Sequence, residues 1–137
     1  NSFDRDIAIN LKSPYFLCQE AFRQFKSGGA IVSISSIAGV RSASKFPGSS
    51  VYSLTKAAII GMTEVLAVEG RKKSIQVNCI APGAFETQML KSFNPKIKTS
   101  SQPSDLAKVI SHVLELSLFS KLTGATIEVE TEMWIDP

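Results

Sequence analysis

Three short β-branched runs alternate with three longer helical patterns, and this alternation constrains the fold more than any other feature of the chain. The runs cover residues 30–35, 75–80 and 125–129, and helical spacing of apolar residues covers about 3–25, 50–69 and 103–119. Strands that alternate with helices form βαβ units, which pair as a parallel sheet with right-handed crossovers. We therefore expect one α/β domain over residues 1–137.

Local signals set the boundaries of these elements. Pro14 interrupts the first helical pattern, but apolar residues continue on both sides, so we expect one kinked or bent helix. Residues 39–50 are rich in Ser and predict a loop, and the polar segment 91–102 predicts another. Pro103 opens the last helix, with Ser104 as its expected N-cap. The residues after Val129 are expected to be irregular.

Composition and charge narrow the class of protein. With 44% hydrophobic and 20% charged residues, the chain has the balance of a globular domain. The formal net charge is only +3 and the basic residues are scattered, so nucleic-acid binding is not favoured. We find no apolar run long enough to span a bilayer and no signal peptide, and we expect a soluble cytoplasmic protein without membrane partners.

The metal-binding residue types show no metal-binding pattern. Cys18 and Cys79 lie far apart within apolar segments, so we expect two reduced cysteines in the core. His112 falls inside a helical pattern without a partner at ligand spacing, and we expect it to be structural or exposed. No metal site is predicted.

Tyr52 and Lys56 are the first candidates for chemistry. Their spacing of four residues places both side chains on one face of a helix, about 5–6 Å apart at Cβ. An ammonium group beside a phenol favours ionisation of the phenol, which makes proton transfer usable near neutral pH. Ser36 follows the first strand and offers a hydroxyl to the same reacting oxygen. By itself a Tyr and Lys pair is a weak signal, because such pairs occur by chance on many helices.

The combination of motifs is much more specific. Ser36-Ile-Ala-Gly39 follows the first strand, Tyr52-Ser-Leu-Thr-Lys56 opens the second helix, and Val77-Asn-Cys-Ile-Ala-Pro82-Gly83 ends the second strand, with Ile-Asn10-Leu upstream. In this order they closely resemble the second half of the short-chain dehydrogenase/reductase family. Among the branches of the family, the motifs of this sequence most resemble those of the 3-oxoacyl reductases. The resemblance implies a partial Rossmann-type, doubly wound parallel sheet.

The resemblance also implies an NAD(P)-dependent oxidoreductase that interconverts a ketone and a secondary alcohol. Tyr52 would give a proton to the substrate oxygen or remove it, and Ser36 would orient that oxygen. Lys56 would hold the nicotinamide ribose, and Asn10 would support a water-linked proton path to Lys56. The implied catalytic residues are Asn10, Ser36, Tyr52 and Lys56. The implied contacts of NAD or NADP are Tyr52, Lys56, Pro82, Gly83, the backbone near Phe85, and Thr87, which would bind the carboxamide or the diphosphate.

The second helix also presents a smooth face, formed by Ala57, Ala58, Gly61 and Val65. Tight packing within the chain is one interpretation. Because the helices bearing Asn10 and Tyr52 commonly pair with a second subunit in the family, we prefer a homodimer or homotetramer interface. The competing functional hypothesis is a truncated, non-catalytic relative that acts only through assembly with full-length partners.

The chain departs from the family pattern in several places. No Gly-x-x-x-Gly-x-Gly turn for the cofactor diphosphate stands in it, so we expect the cofactor-holding half before Asn1 or on another polypeptide. The spacer between Ser36 and Tyr52 holds fifteen residues, a few more than is usual in the family, and the lid segment after Thr87 is short. The ending Val129-Glu-Thr-Glu replaces the family's Val-Asp-Gly-Gly. These segments shape the substrate pocket, so the departures bear on substrate class.

Overall fold

The structure is a computed structural model, and it describes residues 2–41, 43 and 45–135. Five α-helices and five strands lie in this described part of the chain. A π-helical turn at Ala8–Lys12 joins the first two helices, and short 3₁₀ turns lie at Ile37–Gly39 and Arg71–Lys73. In chain order the elements are α1 (Ser2–Ile7), α2 (Ser13–Gln24), β1 (Gly29–Ile34), α3 (Ser50–Gly70), β2 (Ile75–Pro82), α4 (Gln88–Phe93), β3 (Ile97–Thr99), α5 (Pro103–Ser120), β4 (Thr126–Val129) and β5 (Met133–Ile135).

The main sheet has three parallel strands in the order β1-β2-β4. Strand β2 lies in the centre, and its residues 77–81 are all fully buried. On one face Ile75 and Val77 pack in a core cluster with Cys18 of α2 and with Leu66 and Ala67 of α3. The alternate residue Asn78 instead contacts α5, so helices cover both faces of the sheet. The predicted α/β fold class, with a partial Rossmann-type sheet, is confirmed.

The buried amide of Asn78 joins the centre of the sheet to the last part of the chain. Its Nδ2 donates to Ser117 Oγ at 2.9 Å and to the Leu122 carbonyl at 2.7 Å. Its Oδ1 accepts a hydrogen bond from the Ala125 N–H at 3.0 Å. Because the amide is fully buried, replacing it would leave these partners unsatisfied. The amide therefore fixes where β4 begins, and with it the position of the residues that follow β4.

The first helical pattern is continuous through Pro14, as predicted, and its irregularity is the π-helical turn Ala8–Lys12. The N–H of Ser13 donates to the Ala8 carbonyl across five residues, and Ser13 Oγ donates to the same carbonyl at 3.0 Å. Pro14 has no N–H, so the Asn10 carbonyl has no donor at the usual helical position. The expected kink is therefore a widened turn just before Pro14 rather than a break at it.

Three short elements differ from the sequence prediction. Helix α4 begins just ahead of the segment predicted as a polar loop and β3 lies within that segment, while β5 follows Val129, where irregular structure was expected. Strands β3 and β5 pair antiparallel, with Thr99 opposite Met133. Strands of three residues are too short to show a hydrophobic period, which is why the sequence did not reveal them.

The N-cap of α5 is Gln102, and the prediction of Ser104 was wrong. The Gln102 side chain accepts from the backbone of Asp105, and the Asp105 carboxylate accepts from the Gln102 N–H at 3.1 Å. This reciprocal capping box begins the helix at Pro103, whose missing N–H costs nothing at the first helical position.

One helical run, Ser50–Lys73, is long and apolar enough to cross a membrane by length and composition alone, with a mean hydropathy of 1.4. The expectation that no such run exists was therefore wrong on that criterion. A single run of this kind is a weak indication, because core helices pass the same test. In this structure 28% of the window is buried, including Ile59, Thr63 and Leu66.

Candidate active site

Ser36, Lys56 and Pro82, three of the predicted site residues, lie at the edge of the sheet where β1 and β2 end. Ile34 of β1 pairs with Ile80 of β2, and the Ser35 N–H donates to the Ile80 carbonyl at 2.7 Å. The two strands are parallel, so Ser36 and Pro82 leave the sheet at the same edge. Carboxyl ends of parallel strands are where open α/β sheets bind their ligands.

Ser36 begins the 3₁₀ turn Ile37–Gly39 as its N-cap. Its backbone is extended, and its Oγ accepts a hydrogen bond from the Ala38 N–H at 3.2 Å. A hydroxyl group can accept and donate at once, so the proton of Ser36 is left for another acceptor. The capping bond thus orients Ser36 while leaving it able to donate to the oxygen of a ligand.

The turn after β1 packs directly on the backbone of α3. A Cβ atom at Gly39 would lie 2.6 Å from the carbonyl carbon of Lys56 and 2.7 Å from the Ala57 nitrogen. Only glycine permits such an approach of two backbones. Ser35, which is 3% exposed, also donates from its Oγ to the Lys56 carbonyl at 2.7 Å. Two contacts therefore fix α3 at Lys56 against the end of β1.

Sequence reasoning did not identify Ser35 as part of this arrangement. It stands within the β-branched run and has the alternation of an ordinary strand residue. Nothing in its spacing from Lys56 signals a contact, because the two residues meet only through the packing of α3 on β1.

Tyr52 and Lys56 lie on the same face of α3, as their spacing predicts. The Lys56 ammonium lies 5.6 Å from the centre of the Tyr52 ring and donates to the Ile34 carbonyl at 3.1 Å. Burial lowers the pKa of Lys56 below its usual value, and nearby Cys79 acts in the opposite direction. Among the described residues the Tyr52 hydroxyl has no hydrogen-bond partner, so it is open to a ligand. The pair thus consists of a phenol that can donate a proton and an ammonium group beside it.

Asn10 is placed in the π-helical turn, and its side chain is half-buried. The structure does not bring its amide into hydrogen-bonding contact with Lys56 or with any other described residue. Its backbone carbonyl, opposite Pro14, is the polar group that the helix leaves without its usual donor. π-Helical turns of this kind are frequent at functional sites.

Residues 82–87 form the second side of the site. The Gly83 N–H donates to the Val129 carbonyl at 2.8 Å, which extends the pairing of β2 with β4. The Phe85 side chain is buried, so only its backbone is available in the way the sequence prediction describes. Thr87 is the N-cap of α4, and its Oγ1 accepts from the Leu90 N–H at 3.2 Å. Its hydroxyl proton is left for a second partner.

Cys18, Cys79 and His112 are not among the candidate site residues. Cys18 and Cys79 are buried and form no disulfide, which confirms the prediction of reduced core cysteines. Burial raises the pKa of both thiols. His112 is exposed on α5, with its Nδ1 2.7 Å from the Lys108 carbonyl. In the part of the chain that the structure describes, no cluster of three or more His, Cys, Asp or Glu residues is arranged to hold a metal.

Comparison with known proteins defines the class to which this fold and this site belong. The family model described as short chain dehydrogenase matches residues 1–98. The chain belongs to the short chain dehydrogenase family, and the resemblance that its motifs indicate is confirmed.

Relatives within the family are oxidoreductases. The 3-oxoacyl-[acyl-carrier-protein] reductase FabG of Chlamydia trachomatis is 36% identical over 139 residues, which cover 93% of this chain and 54% of that protein. A solved 3-ketoacyl-(acyl-carrier-protein) reductase from Brucella melitensis, in complex with NADH, has a TM-score of 0.77 at 26% identity and covers 93% of this chain and 56% of the other. A 4-hydroxyisoleucine dehydrogenase mutant complexed with NADH and succinate has a TM-score of 0.79 at 26% identity, covering 93% and 57%.

These comparisons place the chain in an NAD(P) cofactor family with relatives of the 3-oxoacyl reductase kind, as predicted. The chain spans about half the length of the curated relatives it matches, with 54%, 46% and 58% of three of them covered.

Proposed function

We propose that this chain carries the catalytic part of an NAD(P)-dependent oxidoreductase that interconverts a ketone and a secondary alcohol. The observation that carries the proposal is the Tyr52 hydroxyl, which is open to a ligand while the Lys56 ammonium lies 5.6 Å from its ring. Ser36 follows the strand whose Ile34 carbonyl accepts a hydrogen bond from the Lys56 ammonium. The three groups together fit a reaction in which a substrate oxygen gains or loses a proton.

The residues present fit the nicotinamide end of the cofactor. Lys56 has three N–H donors and gives one to Ile34, which leaves donors for the hydroxyl groups of a ribose. Pro82, Gly83 and the backbone at Phe85 would lie against the nicotinamide, and the free proton of Thr87 would reach its carboxamide or the diphosphate. When bound, the nicotinamide supplies or accepts the hydride.

Residues of this chain would bind the substrate oxygen and transfer its proton. Ser36, oriented by its bond to Ala38, donates a hydrogen bond to the carbonyl oxygen and positions it. Tyr52 gives its phenolic proton to that oxygen in reduction and removes it in oxidation. Lys56 stabilises the phenolate because its positive charge lies beside the ring. The Asn10 carbonyl, opposite Pro14, would hold a water that passes protons to Lys56.

For the substrate we propose a small or medium apolar ketone or alcohol, of the kind that 3-oxoacyl reductases handle. Phe46 of the loop before α3 and Phe93 at the end of α4 meet edge to face, with ring centres 6.1 Å apart. The contact joins the two segments that flank Tyr52 and Thr87 in sequence. Aromatic walls of this kind favour an apolar substrate.

The remaining cofactor contacts would come from residues outside this chain. Strand β1 has β2 as its partner on one side only, so its other edge is open among the described residues. Leu17 beside it is 71% exposed, and Ile34 at its end is 38% exposed. We propose that a further parallel strand pairs with β1 and that the diphosphate-binding segment is carried with it.

We propose association of two or four copies through α2 and α3. Of the residues of the smooth face, Ala58 is half-buried, while Ala57, Gly61 and Val65 are exposed. A Cβ at Gly61 would meet nothing within 4 Å among the described residues, so most of this face is not covered by packing within the chain. Phe16 on α2 is 60% exposed. The competing hypothesis, a non-catalytic relative that acts only through assembly, is less favoured because the proton-transfer residues are all retained.

We also propose a cytoplasmic location, since two buried reduced thiols suit a reducing compartment.

Steady-state oxidation of NADH and NADPH tests the function. The polypeptide that carries these residues is assayed with small ketones and with 3-oxoacyl thioesters, and the reverse reaction is run with the matching alcohols. We expect carbonyl-dependent oxidation of at least one cofactor. Binding of cofactor without turnover of any carbonyl compound or alcohol would contradict the proposal and favour the assembly hypothesis.

A further inference from the structure

Ala84 leaves β2 toward the candidate cofactor site, and both polar groups of its backbone are held by threonine side chains. The Ala84 N–H donates to Thr131 Oγ1 at 2.8 Å. Thr99 Oγ1 lies 3.2 Å from the Ala84 carbonyl and 2.8 Å from the Glu132 carbonyl. Thr99 also accepts from the Ser101 N–H at 3.2 Å and is only 7% exposed. Threonines from two other segments therefore set the position of this one peptide unit.

Thr131 also occupies the space that the absence of a side chain at Gly83 creates. A Cβ atom on Gly83 would lie 2.8 Å from Thr131 Oγ1 and 3.2 Å from the Thr131 nitrogen. The preceding bond, from the Gly83 N–H to the Val129 carbonyl, ends the pairing of β2 with β4. Thr131 continues that attachment beyond the sheet with a side-chain oxygen. Its position is fixed by β4 on one side and by β5, which begins two residues later, on the other.

This arrangement needs a side-chain acceptor at position 131, which the Thr131 hydroxyl provides. A hydroxyl oxygen can accept from the Ala84 N–H, whereas glycine has no side-chain atom to offer it. The ending Val129-Glu-Thr-Glu, where the family pattern has Val-Asp-Gly-Gly, therefore supplies an acceptor that the pattern lacks. This difference from the family pattern therefore creates a contact between Thr131 and Ala84, beside the turn that is expected to face the nicotinamide.

We propose that Thr131 is a positioning residue for the cofactor, which acts by holding the turn 82–84 through the Ala84 N–H. The inference rests on the proposed function, because it takes this turn as the wall of the nicotinamide site. Without the hydroxyl, the Ala84 N–H loses the one hydrogen-bond acceptor that the described residues give it. The nicotinamide would then meet a less ordered wall, and cofactor binding would weaken more than carbonyl-substrate binding.

Substitutions at Thr131 separate this role from general stability. Thr131→Val keeps the branched shape and removes the acceptor, while Thr131→Ser keeps the acceptor. Thr126→Val in β4 is the matched control, because the Thr126 side chain has no hydrogen-bond partner among the described residues. The dissociation constants of NADH and NADPH are measured by fluorescence, together with the KM of the carbonyl substrate and the thermal midpoint.

We expect Thr131→Val to weaken cofactor binding about fivefold to tenfold, the size expected when one hydrogen bond is lost and an N–H is left unpaired. Thr131→Ser should stay within about twofold of wild type, and Thr126→Val should not change binding. A Thr131→Val variant with wild-type cofactor affinity overturns the inference, even if its thermal midpoint falls. A wild-type protein that binds neither cofactor overturns the proposed function, and the inference with it.

Discussion

The two sides of the candidate site are held in place by different kinds of contact. On the β1 side, Ser36 and Lys56 are located chiefly by the close packing of the Gly39 backbone against α3, and the Ser35 hydroxyl adds one hydrogen bond to the Lys56 carbonyl. On the β2 side, residues 82–87 are located by hydroxyl groups of Thr99 and Thr131, which come from the last third of the chain. A contact between two backbones tolerates no added atom, whereas a hydroxyl contact can be weakened in steps. We infer that the β1 side of the candidate site is the rigid one and that the β2 side is the adjustable one.

The largest effect on stability is expected from a methyl group at Gly39. Gly39→Ala places a Cβ 2.6 Å from the Lys56 carbonyl carbon, so α3 or the turn after β1 must move. We expect the free energy of unfolding to fall by about 3 kcal/mol, measured by urea denaturation. Gly61→Ala in α3, where a Cβ would meet nothing within 4 Å, is the control, and in the dissociated chain it should raise stability by up to about 1 kcal/mol. Equal stability of the two variants would remove the distinction drawn for the β1 side.

A smaller loss is expected on the β2 side from Thr99→Val. The substitution keeps the shape of the side chain but leaves the carbonyls of Ala84 and Glu132 without their shared donor and the Ser101 N–H without its acceptor. We expect a loss of about 1.5 kcal/mol, by the same denaturation measurement. Thr126→Val should lose less than about 0.5 kcal/mol. A loss at Thr99 as large as that at Gly39 would show that the two sides are equally rigid.

The smallest effect on stability is expected from Lys56→Met, although it removes a central group of the site. Burial lowers the pKa of Lys56, so its charged form is disfavoured in the folded protein. At pH 7 we expect Lys56→Met to be less stable than wild type by no more than about 0.5 kcal/mol, while turnover is lost. Lys72→Met, in the exposed 3₁₀ turn far along the chain, should change neither quantity.

The pH dependence of the same pair of proteins has a definite sign. Between the lowered pKa of Lys56 in the folded state and the usual value of 10.5, the unfolded chain binds more protons than the folded one. Wild-type stability contributed by Lys56 therefore rises with pH across that window. The stability of Lys56→Met relative to wild type should therefore fall as the pH rises through this window. A relative stability of Lys56→Met that rises with pH would show that the Lys56 pKa is raised, not lowered.

The sequence predicted the main sheet and its helices because those elements are long enough to show a period. Strand β2 and helix α3 were located to within two residues at each end. The short strands β3 and β5 were missed, since three residues carry no period and their pairing depends on contacts between distant segments. The π-helical turn was missed for a related reason. Pro14 signals an irregular helix, but the side on which the hydrogen bonds rearrange depends on Ser13 and its neighbours.

The residues predicted for the site differ in how much the sequence could say about them. The proximity of Tyr52 and Lys56 could be predicted because residues four apart lie on one face of a helix. The proximity of Ser36 and Pro82 could be predicted because neighbouring parallel strands end at the same edge of the sheet. The attachments that hold them, from Ser35 and Thr131, join residues 21 and 47 positions apart and carry no local pattern. The positions of the candidate site residues can thus be predicted from the sequence, while the contacts that hold them in place require the fold.

The central claim is that Tyr52 carries the proton of the reaction, and replacing only its hydroxyl tests this most directly. Tyr52→Phe keeps the ring beside Lys56, and Tyr15→Phe is the control, because Tyr15 is the other tyrosine of the chain and lies exposed on α2. We predict that Tyr52→Phe lowers kcat about thousandfold while the cofactor dissociation constant stays within about twofold, and that Tyr15→Phe changes neither. A Tyr52→Phe variant that keeps more than about a tenth of the wild-type kcat would contradict the account.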